Sequence, residues 1–422
     1  MHSDFFHGFV FLAGALVWWF GIYGNWLKRF VAPPLLVTVA GIVFGLWFPQ
    51  PQAQLLGQLE SLSWLALGFG VMGIALRISM ATARRMLAPA TVIVLVAMAG
   101  MWATSAAIVG GLTGVGILSA VLLGAIVTPT DPVVASSITT GPFARRNIPP
   151  RIRRMLSLES GANDGLAFII VFLPILLIQH GGQGWAIWGY RTVLCQVVAA
   201  GAMGALIGWA AELVFARAAA REHVGERMVM LSSLALTVAV LGLMKLLGVD
   251  SIWAVFVAGL MFTRNLGERC REPANQFQEG GLYLAMVPAL LLFGMALPWQ
   301  GWAELGWAGP GVVALLLLVR RLPVIAVLFA LMRHRGEPGG GDALRHPFSA
   351  VRDLWFYGWF GPLGLSAIYY ATTAHRLLRD DTLWAVASLC IFASIVVHGL
   401  TAAPFTRWYR RHASEADDGG RG

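Results

Sequence analysis

Long apolar stretches alternate with short polar ones along nearly the whole chain. An apolar window of about 17–25 residues is long enough to cross a bilayer as a helix. The pattern predicts about thirteen such helices, at about 5–26, 33–47, 61–77, 89–109, 114–138, 157–178, 188–217, 228–247, one ending at 263, 280–296, 309–332, 354–374 and 382–405. We therefore expect an all-α polytopic membrane protein, with residues 1–422 forming a single transmembrane domain.

The charge content supports this class. Only 12% of the residues are charged and 58% are hydrophobic, whereas a soluble domain has about 25% charged residues. The basic residues behind the formal net charge of +9 lie between apolar windows, as in cytoplasmic loops that face anionic lipid, so nucleic acid is not an expected partner. Basic loops alternate with loops that carry essentially no charge, which predicts an outer N-terminus and a cytoplasmic C-terminus in the plasma (inner) membrane. The three cysteines are too far apart for a metal-spaced cluster, and no cofactor is expected.

The sixth predicted helix carries polar residues that are costly in hydrocarbon and are therefore candidate functional residues. These are Glu159, Ser160, Asn163 and Asp164. Ser160 and Asp164 are four residues apart and share a helix face, whereas Glu159 points elsewhere and needs a separate partner. A capped helix start with Ser157 as the N-cap is the alternative. That alternative accounts for the first of these residues but leaves Asp164 unexplained.

Two prolines interrupt the fifth predicted helix. Pro129 and Pro132 remove backbone donors, and such breaks at membrane depth occur only where the backbone is buried in protein or lines a cavity. The freed carbonyls around Thr130 and the carboxylate of Asp131 are oxygen ligands that suit a hard cation. The alternative is a proline kink in which Asp131 caps the residues that follow.

Two adjacent arginines, Arg320 and Arg321, lie in the eleventh predicted helix with apolar residues on both sides. A guanidinium there must pair with an acid or snorkel to an interface. Glu159 is the available carboxylate, and a buried pair would fix helix six against helix eleven. Because only one of the arginines can point at Glu159, we assign the pair to Arg320 in preference to Arg321.

Glycines and a proline interrupt the twelfth predicted helix, at Gly358, Gly361, Pro362 and Gly364. Interrupted helices in corresponding positions of two halves are typical of transporters built from inverted repeats, with the binding site at the bilayer midplane. The predicted repeats cover about 5–178 and about 228–405, joined by a linker helix at about 188–217. The breaks then fall in the fifth helix of each repeat. The cytoplasmic tail at 407–422 is too short and too charged to fold alone.

Taken together, these motifs resemble the monovalent cation–proton antiporters, and within them the electroneutral Na⁺/H⁺ exchanger branch of the bacterial type. The motifs are Thr130-Asp131-Pro132, Glu159-Ser160-x-x-Asn163-Asp164, Arg320, the glycines of helix twelve and Phe293-Gly294-Met295 of helix ten. The resemblance covers essentially the whole chain. It implies that Asp164 binds both the transported ion and the proton, with Asp131 as its neighbour in the broken helix. Ser160 and the backbone of Thr130 would be further ligands of the transported Na⁺.

The resemblance also implies supporting roles and a quaternary structure. Asn163 would be a structural partner of the site, and Glu159 with Arg320 would form a stabilising pair. The family implies a homodimer with a rigid dimerisation domain and a moving, ion-carrying core. In two places the chain departs from the pattern of some relatives. It has no acidic residue in the third helix, at 70–73, and it has an aliphatic residue, Leu363, where many have an arginine.

These features predict a secondary active antiporter, not an enzyme, that exchanges a monovalent cation for H⁺ by alternating access. Asp164 would hold either a proton or a dehydrated Na⁺, with K⁺ and Li⁺ as alternatives. Because Asn163 stands where a second acid could be, we expect one proton per cation and no net charge moved. An intramembrane enzyme with Asp131 and Asp164 as a catalytic pair and a cation channel are the alternatives. The expected partners are Na⁺, H⁺, membrane lipid and a second copy of the chain.

Overall fold

Every regular element in the described part of the computed structural model is helical; the description covers residues 2–27, 29–78, 80–131, 138, 141–221, 226–333 and 351–418. The helices are α1 (His2–Leu27), α2 (Pro33–Trp47), α3 (Gln52–Arg77), α4 (Met80–Thr113), α5 (Ile117–Ile126), α6 (Gly141–Asn147), α7 (Pro150–His180), α8 (Gly184–Ile187), α9 (Ala199–Arg221), α10 (Glu226–Leu247), α11 (Ser251–Phe262), α12 (Glu268–Met295), α13 (Trp299–Glu304), α14 (Ala308–Val319), α15 (Leu322–Arg333), α16 (Val351–Trp359), α17 (Leu365–Leu378) and α18 (Asp381–Asp418). A short 3₁₀ helix (Gly181–Gln183) precedes α8, and a π-helical stretch (Trp188–Val198) joins α8 to α9.

Eight helical stretches among the described residues are long and apolar enough to cross a membrane. Three shorter apolar helices, α2, α5 and α11, lie between them in the chain. The chain is therefore a multi-pass helical membrane protein, as the sequence predicts. The number of thirteen crossings stays a prediction.

Several helices extend beyond their predicted windows, because a helix continues through polar residues where an apolar window stops. α3 begins at Gln52 and α12 at Glu268, each well before the apolar part of the segment. α7 begins at Pro150, whose missing N–H and fixed φ suit the first turn of a helix. Ser157 consequently lies in the second turn of α7, and the alternative in which it caps the helix is wrong.

The last helix also runs further than expected. α18 continues to Asp418, so the residues predicted as a separate tail extend it as far as the described chain reaches. Tyr409 is buried, its hydroxyl donates to Asp353 at 2.6 Å, and its ring lies 4.8 Å from that of Phe356 between centroids. These contacts with α16 explain why a charged segment that would not fold alone is helical here.

Two of the predicted interruptions are present. α5 stops at Ile126, and residues 127–131 are not helical. The rest of the predicted fifth window, at 132–137, lies outside the described residues. A second non-helical stretch, 360–364, separates α16 from α17 at the glycines and proline of the twelfth window.

A further interruption divides the eleventh predicted helix. α14 ends at Val319 and α15 begins at Leu322, so Arg320 and Arg321 lie at the break. Pro323 contributes to this break, because it has no N–H to donate to the carbonyl of Val319. The two arginines therefore do not sit on one regular helix.

The helices pack into two groups. α1 and α2 pack with each other and on α12, α3 packs on α10, α11 and α12, and α9 packs on α11. In the second group, α4, α5 and α7 pack with one another and with helices from α14 to α18. The groups meet mainly where α17 and α7 contact α3 and α11. The helix α7, which carries the candidate residues from Glu159 to Asp164, thus lies at the boundary between the groups, together with α17.

Glycines let backbones approach closely within the first group. A Cβ at Gly204 or Gly208 of α9 would collide with the carbonyl oxygens of Ala254 and Ala258 on α11. A Cβ at Gly294 of α12 would likewise collide with the backbone of α2. Because apolar burial does not drive association in lipid, such small-residue contacts are a main source of helix packing.

We expect Gly204→Ala to destabilise the protein by about 1–3 kcal/mol, the usual range for an overpacked contact. Gly242→Ala is the matched control, since Gly242 also lies inside a helix but has open space around its missing Cβ. That change should be neutral or stabilising by up to about 1 kcal/mol through helix propensity. Thermal unfolding in detergent measures both, and equal shifts for the two variants would contradict the close contact.

Candidate ion-binding site

Asp131 joins the two interrupted segments where they cross. Its backbone N–H donates to the carbonyl of Pro362 at 2.8 Å, and its carboxylate oxygen Oδ2 accepts from the backbone N–H of Leu365 at 2.6 Å. The carboxylate thus caps the N-terminus of α17 and offsets the positive end of the helix dipole. Gly364 makes room for it, because a Cβ at that position would overlap the Asp131 carboxylate. Asp131 is therefore a helix cap, but of a helix in the other half of the chain.

Arg320 satisfies carbonyl groups at the same crossing. Its buried guanidinium donates to the backbone oxygens of Val127, just after α5, and Gly361, just after α16. Carbonyls at helix C-termini lack helical donors and carry the negative end of the dipole, so a cation is favourable there. The predicted pairing of Arg320 with Glu159 is wrong, because these two carbonyls hold the guanidinium.

Glu159 pairs with Arg321 instead. Nη1 and Nη2 of Arg321 donate to Oε1 and Oε2 of Glu159 at 2.6 and 2.7 Å, and the two side chains are 4% and 1% exposed. The hydroxyl of Tyr357 also donates to Glu159. The expected buried pair between helices six and eleven is present with the other arginine. Consecutive residues of a helix point about 100° apart, and Arg320 still has helical backbone angles. The two arginines therefore point in different directions, and Arg321 reaches Glu159 on α7.

Asn163 connects this ion pair to the crossing. Its Nδ2 donates to Thr130 Oγ1 at 3.3 Å and lies 3.5 Å from Glu159 Oε1. The hydroxyls of Thr130 and Ser160 are hydrogen-bonded to each other at 3.2 Å. Both contacts of the amide nitrogen orient the Asn163 side chain, so its oxygen Oδ1 points away from Thr130 and Glu159 and has no hydrogen-bond partner among the described residues.

Asp164 is the most unusual group of the site. It is 1% exposed, and neither of its carboxylate oxygens has a hydrogen-bond partner in the described part of the chain. The Ser366 hydroxyl interacts with the carboxylate without a short hydrogen bond, and the charge of Asp131 also acts on it. An ionised carboxylate is very unfavourable in such surroundings unless it is protonated or compensated by a cation.

Two residues near Asp164 are missing from the sequence-based set. Ser366 lies in the first turn of α17, and the Tyr370 hydroxyl donates to the backbone oxygen of Asp164 at 3.1 Å. They are four residues apart and share a face of α17. Both are polar residues in a segment predicted to cross the membrane, which is the signal that could have marked them.

Two crossed, interrupted helices beside a buried, unpaired carboxylate define the class of protein. Polytopic membrane transporters with discontinuous helices bind their substrates at such crossings. The family model described as "Sodium/hydrogen exchanger, transmembrane" matches residues 11–408, and the chain belongs to this family.

Solved structures with the same fold include the sodium proton antiporter MjNhaP1 from Methanocaldococcus jannaschii. One structure of it, at pH 8, aligns with a TM-score of 0.71 over 95% of this chain and 98% of that chain, at 14% sequence identity. A second, described as a 3D EM map, aligns with a TM-score of 0.72 over 96% of this chain and 98% of that chain, at 15% identity. At these identities the similarity shows the fold.

Curated relatives are similar in sequence over part of their length. Na(+)/H(+) antiporter 2 of Zygosaccharomyces rouxii is 26% identical over 69% of this chain and 38% of its own length. The Na(+)/H(+) antiporter of Saccharomyces cerevisiae is 25% identical over 72% and 34%, and the K(+)/H(+) antiporter NhaP2 of Shewanella oneidensis is 24% identical over 60% and 40%. The chain thus spans less than half of the length of these relatives.

The Glu159–Arg321 pair predicts a specific pattern of mutational coupling. Arg321→Met should destabilise the protein by about 3–5 kcal/mol, because it leaves Glu159 buried without its main partner. Arg321→Met with Glu159→Gln should be much less destabilising than the sum of the single changes. The control is a second double-mutant cycle with Arg320→Met and Glu159→Gln, in which the effects of the two changes should be nearly additive. Thermal unfolding measures both cycles, and stronger coupling with Arg320 would contradict the observed pairing.

Proposed function

We propose that the protein is a secondary active antiporter that exchanges a monovalent cation for H⁺ across the membrane. Na⁺ is the proposed substrate, with K⁺ and Li⁺ to be tested beside it. The observation that carries the proposal is the Asp164 carboxylate, which is buried and whose two oxygens accept no hydrogen bond from the described residues. A proton or a small cation is what such a group requires.

The proposed mechanism is competition at this carboxylate. Protonation neutralises Asp164 and lets it remain buried, and a dehydrated cation does the same by direct coordination. Binding of one displaces the other, because both neutralise the same charge. If only the loaded forms change their facing, each cation that moves in one direction is matched by a proton in the other.

Several oxygen atoms could complete the coordination of a cation at Asp164. Asn163 Oδ1 and the Ser366 hydroxyl have no hydrogen-bond partner among the described residues and are the first candidates. Ser160 and Thr130 are also proposed ligands, through the Ser160 hydroxyl and the Thr130 backbone, and the two hydroxyls are hydrogen-bonded to each other. Asp131 is proposed to act mainly through its charge, since its carboxylate caps α17. Such a set of neutral oxygens with a carboxylate suits a hard cation.

One-to-one exchange without net charge movement follows from the proposed charge balance. The charge of Glu159 is compensated by Arg321, and that of Asp131 lies at a helix N-terminus. Of these three carboxylates, Asp164 is then the one whose charge changes during the cycle. This arrangement also argues against an intramembrane aspartyl enzyme, because Asp131 is engaged in capping. The near-complete burial of Asp164 supports alternating access over an open channel.

We further propose the architecture expected for such an exchanger. The two packing groups each combine helices from both halves of the chain, α1–α3 with α10–α12 and α4–α7 with α14–α18, which supports inverted repeats at about 5–178 and 228–405 with a linker between them. The first group is the proposed dimerisation domain and the second the ion-carrying core. The basic loops favour the plasma (inner) membrane with the N-terminus outside and the C-terminus in the cytoplasm.

Asp164→Asn should abolish exchange, because an amide can neither bind a proton nor supply a negative charge to a cation. The assay is a pH jump in proteoliposomes with Na⁺, K⁺ and Li⁺ tested separately. Asp381→Asn is the matched control, since it makes the same chemical change in a side chain that is 96% exposed. Size-exclusion chromatography and thermal unfolding should show both variants folded. Exchange retained by Asp164→Asn would remove this residue from its proposed role.

Electroneutral exchange predicts insensitivity to membrane potential. Exchange rates in proteoliposomes should be the same at zero membrane potential and at potentials of either sign. The potential is set with a potassium gradient and valinomycin. A parallel assay must show that K⁺ itself is not a substrate. A charge-moving cycle would gain about 2.3 kcal/mol of driving force per elementary charge per 100 mV. Strong voltage dependence would therefore overturn the one-to-one stoichiometry.

A further inference from the structure

Asp250 is a further buried carboxylate, which the proposed exchange at Asp164 does not use. It lies in the turn between α10 and α11, outside both helices, and is 5% exposed. Its Oδ1 accepts from the backbone N–H groups of Ile252 and Trp253 at 3.0 and 3.3 Å and so caps α11. Its other oxygen, Oδ2, is buried and has no hydrogen-bond partner among the described residues. Capping uses one oxygen, and it does not explain why the other is buried and unpaired.

Two tyrosines of α17 connect Asp250 with the candidate ion site. The Tyr370 hydroxyl donates to the backbone oxygen of Asp164 at 3.1 Å, and the charges of both Asp164 and Asp250 act on its phenol. Asp250 also acts on the neighbouring Tyr369. A phenol hydroxyl both donates and accepts hydrogen bonds. The two tyrosines therefore lie within electrostatic reach of Asp250, and Tyr370 also contacts the backbone of Asp164.

Beyond the tyrosines, an ion pair leads to the protein surface. Thr373 interacts with Tyr369, and its hydroxyl donates to Glu60 Oε1 at 3.0 Å. Arg376, half exposed, donates to both carboxylate oxygens of Glu60 at 2.9 and 3.0 Å. In the proposed orientation the C-terminal end of α17, which carries Arg376, faces the outside. Polar groups of α17 thus follow one another from Tyr370, beside Asp164, to the half-exposed Arg376, and Asp250 acts on the two tyrosines among them.

The ionisable groups near the two tyrosines come from several elements. Asp250 and Asp164 of α7 act on Tyr370, and Asp250, Glu60 of α3 and Arg376 of α17 act on Tyr369. Lys245 of α10 lies over the ring of Trp64 on α3. The π-helical stretch contributes the uncharged Gln196, whose backbone oxygen accepts from the Asp250 N–H at 3.2 Å. Burial raises the pKa of Asp250 to about 7, although the backbone N–H groups of the cap oppose the shift. The carboxylate therefore changes its charge near neutral pH.

We propose that Asp250 is a second proton-binding carboxylate, which takes up the proton that leaves Asp164 and releases it to the outside. This inference rests on the proposed exchange at Asp164 and assigns its outer proton route. The O–H bond of protonated Asp164 breaks and an O–H bond forms on Asp250 Oδ2, with Tyr370 between them. The arriving cation balances the charge left on Asp164. Asp250 then gives the proton to outside water and becomes a carboxylate again.

The sign of the pH effect follows from this assignment. When the outside pH is above about 7, Asp250 is mostly ionised and can accept a proton. Below that value it is mostly protonated and cannot. Release of protons to the outside should therefore slow as the outside pH falls through about 7. The inside pH should act through Asp164 alone and should not show this dependence on Asp250.

Asp250→Asn tests the proposal, because Asn caps a helix as well as Asp does but binds no proton. The assay uses oriented proteoliposomes whose lumen corresponds to the cytoplasmic side. The lumen is acidic, Na⁺ is added outside, and exchange is measured as the outside pH is varied from about 6 to about 8. Over that range the ionised fraction of a group with a pKa near 7 changes about tenfold. In the Asp250→Asn variant, exchange should no longer slow as the outside pH falls through about 7. Its dependence on the inside pH should stay that of the wild type.

Asp380→Asn is the matched control for the cap. Asp380 Oδ1 accepts from the backbone N–H groups of Thr382 and Leu383 at 2.9 and 3.3 Å, the same geometry as at Asp250, at the start of α18. Its carboxylate lies in a more exposed setting, so the change should leave both pH profiles unaltered. Tyr370→Phe is a second variant, which should slow exchange while leaving protonation of Asp250 intact.

Infrared difference spectroscopy gives a readout that does not depend on transport. The wild type should show the carbonyl band of a protonated carboxyl that titrates near pH 7. Asp250→Asn should lose this band, and Asp164→Asn and Asp380→Asn should keep it. An unchanged band and an unchanged outside-pH profile in Asp250→Asn would overturn the proposal. Exchange retained by Asp164→Asn would instead overturn the proposed function, with the Asp250 band still readable.

Discussion

Backbone that leaves the helical conformation inside a membrane protein must find other partners for its polar groups. The crossing of residues 127–131 and 360–364 meets this requirement with two side chains of opposite charge. Asp131 accepts at the N-terminus of α17, and Arg320 donates at the C-terminal ends of α5 and α16. Each charge lies where the helix dipole favours it. The site depends on this crossing, since it brings Thr130 to Ser160 and Ser366 to Asp164.

The crossing and the ion pair beside it leave Asp164 in an unusual position. Glu159 is compensated by Arg321 and is further hydrogen-bonded by Tyr357. Asp131 is compensated by a helix N-terminus. Asp164 is buried beside them without a partner for either oxygen among the described residues. Low-dielectric surroundings make an unpaired charge very unfavourable, and a small bound cation or a proton removes that penalty.

Much of this arrangement could be predicted from local sequence signals. Apolar windows predict a polytopic helical fold, and polar residues or prolines within them mark Asp131, Asp164 and both arginines as candidates. The choice between Arg320 and Arg321 depends on which of them faces Glu159 and which faces the carbonyls of the crossing, and these partners come from distant segments. The partner of Asp131 is the backbone N–H of Leu365, and no local pattern encodes a contact between such distant segments. Long-range pairing of this kind needs the three-dimensional structure.

The contacts described inside each of the two packing groups are stronger than the ion pairs between the groups. Inside the first group, backbones touch at glycines, and inside the second, the buried Glu159–Arg321 pair would cost about 3–5 kcal/mol to break. The ion pairs between the groups, Glu60–Arg376 and Arg145–Glu272, each include a partner that is at least half exposed. Such exposed pairs contribute only about 0–1 kcal/mol each. These ion pairs would therefore oppose a displacement of one group against the other only weakly. Such a displacement is what the proposed alternating access requires.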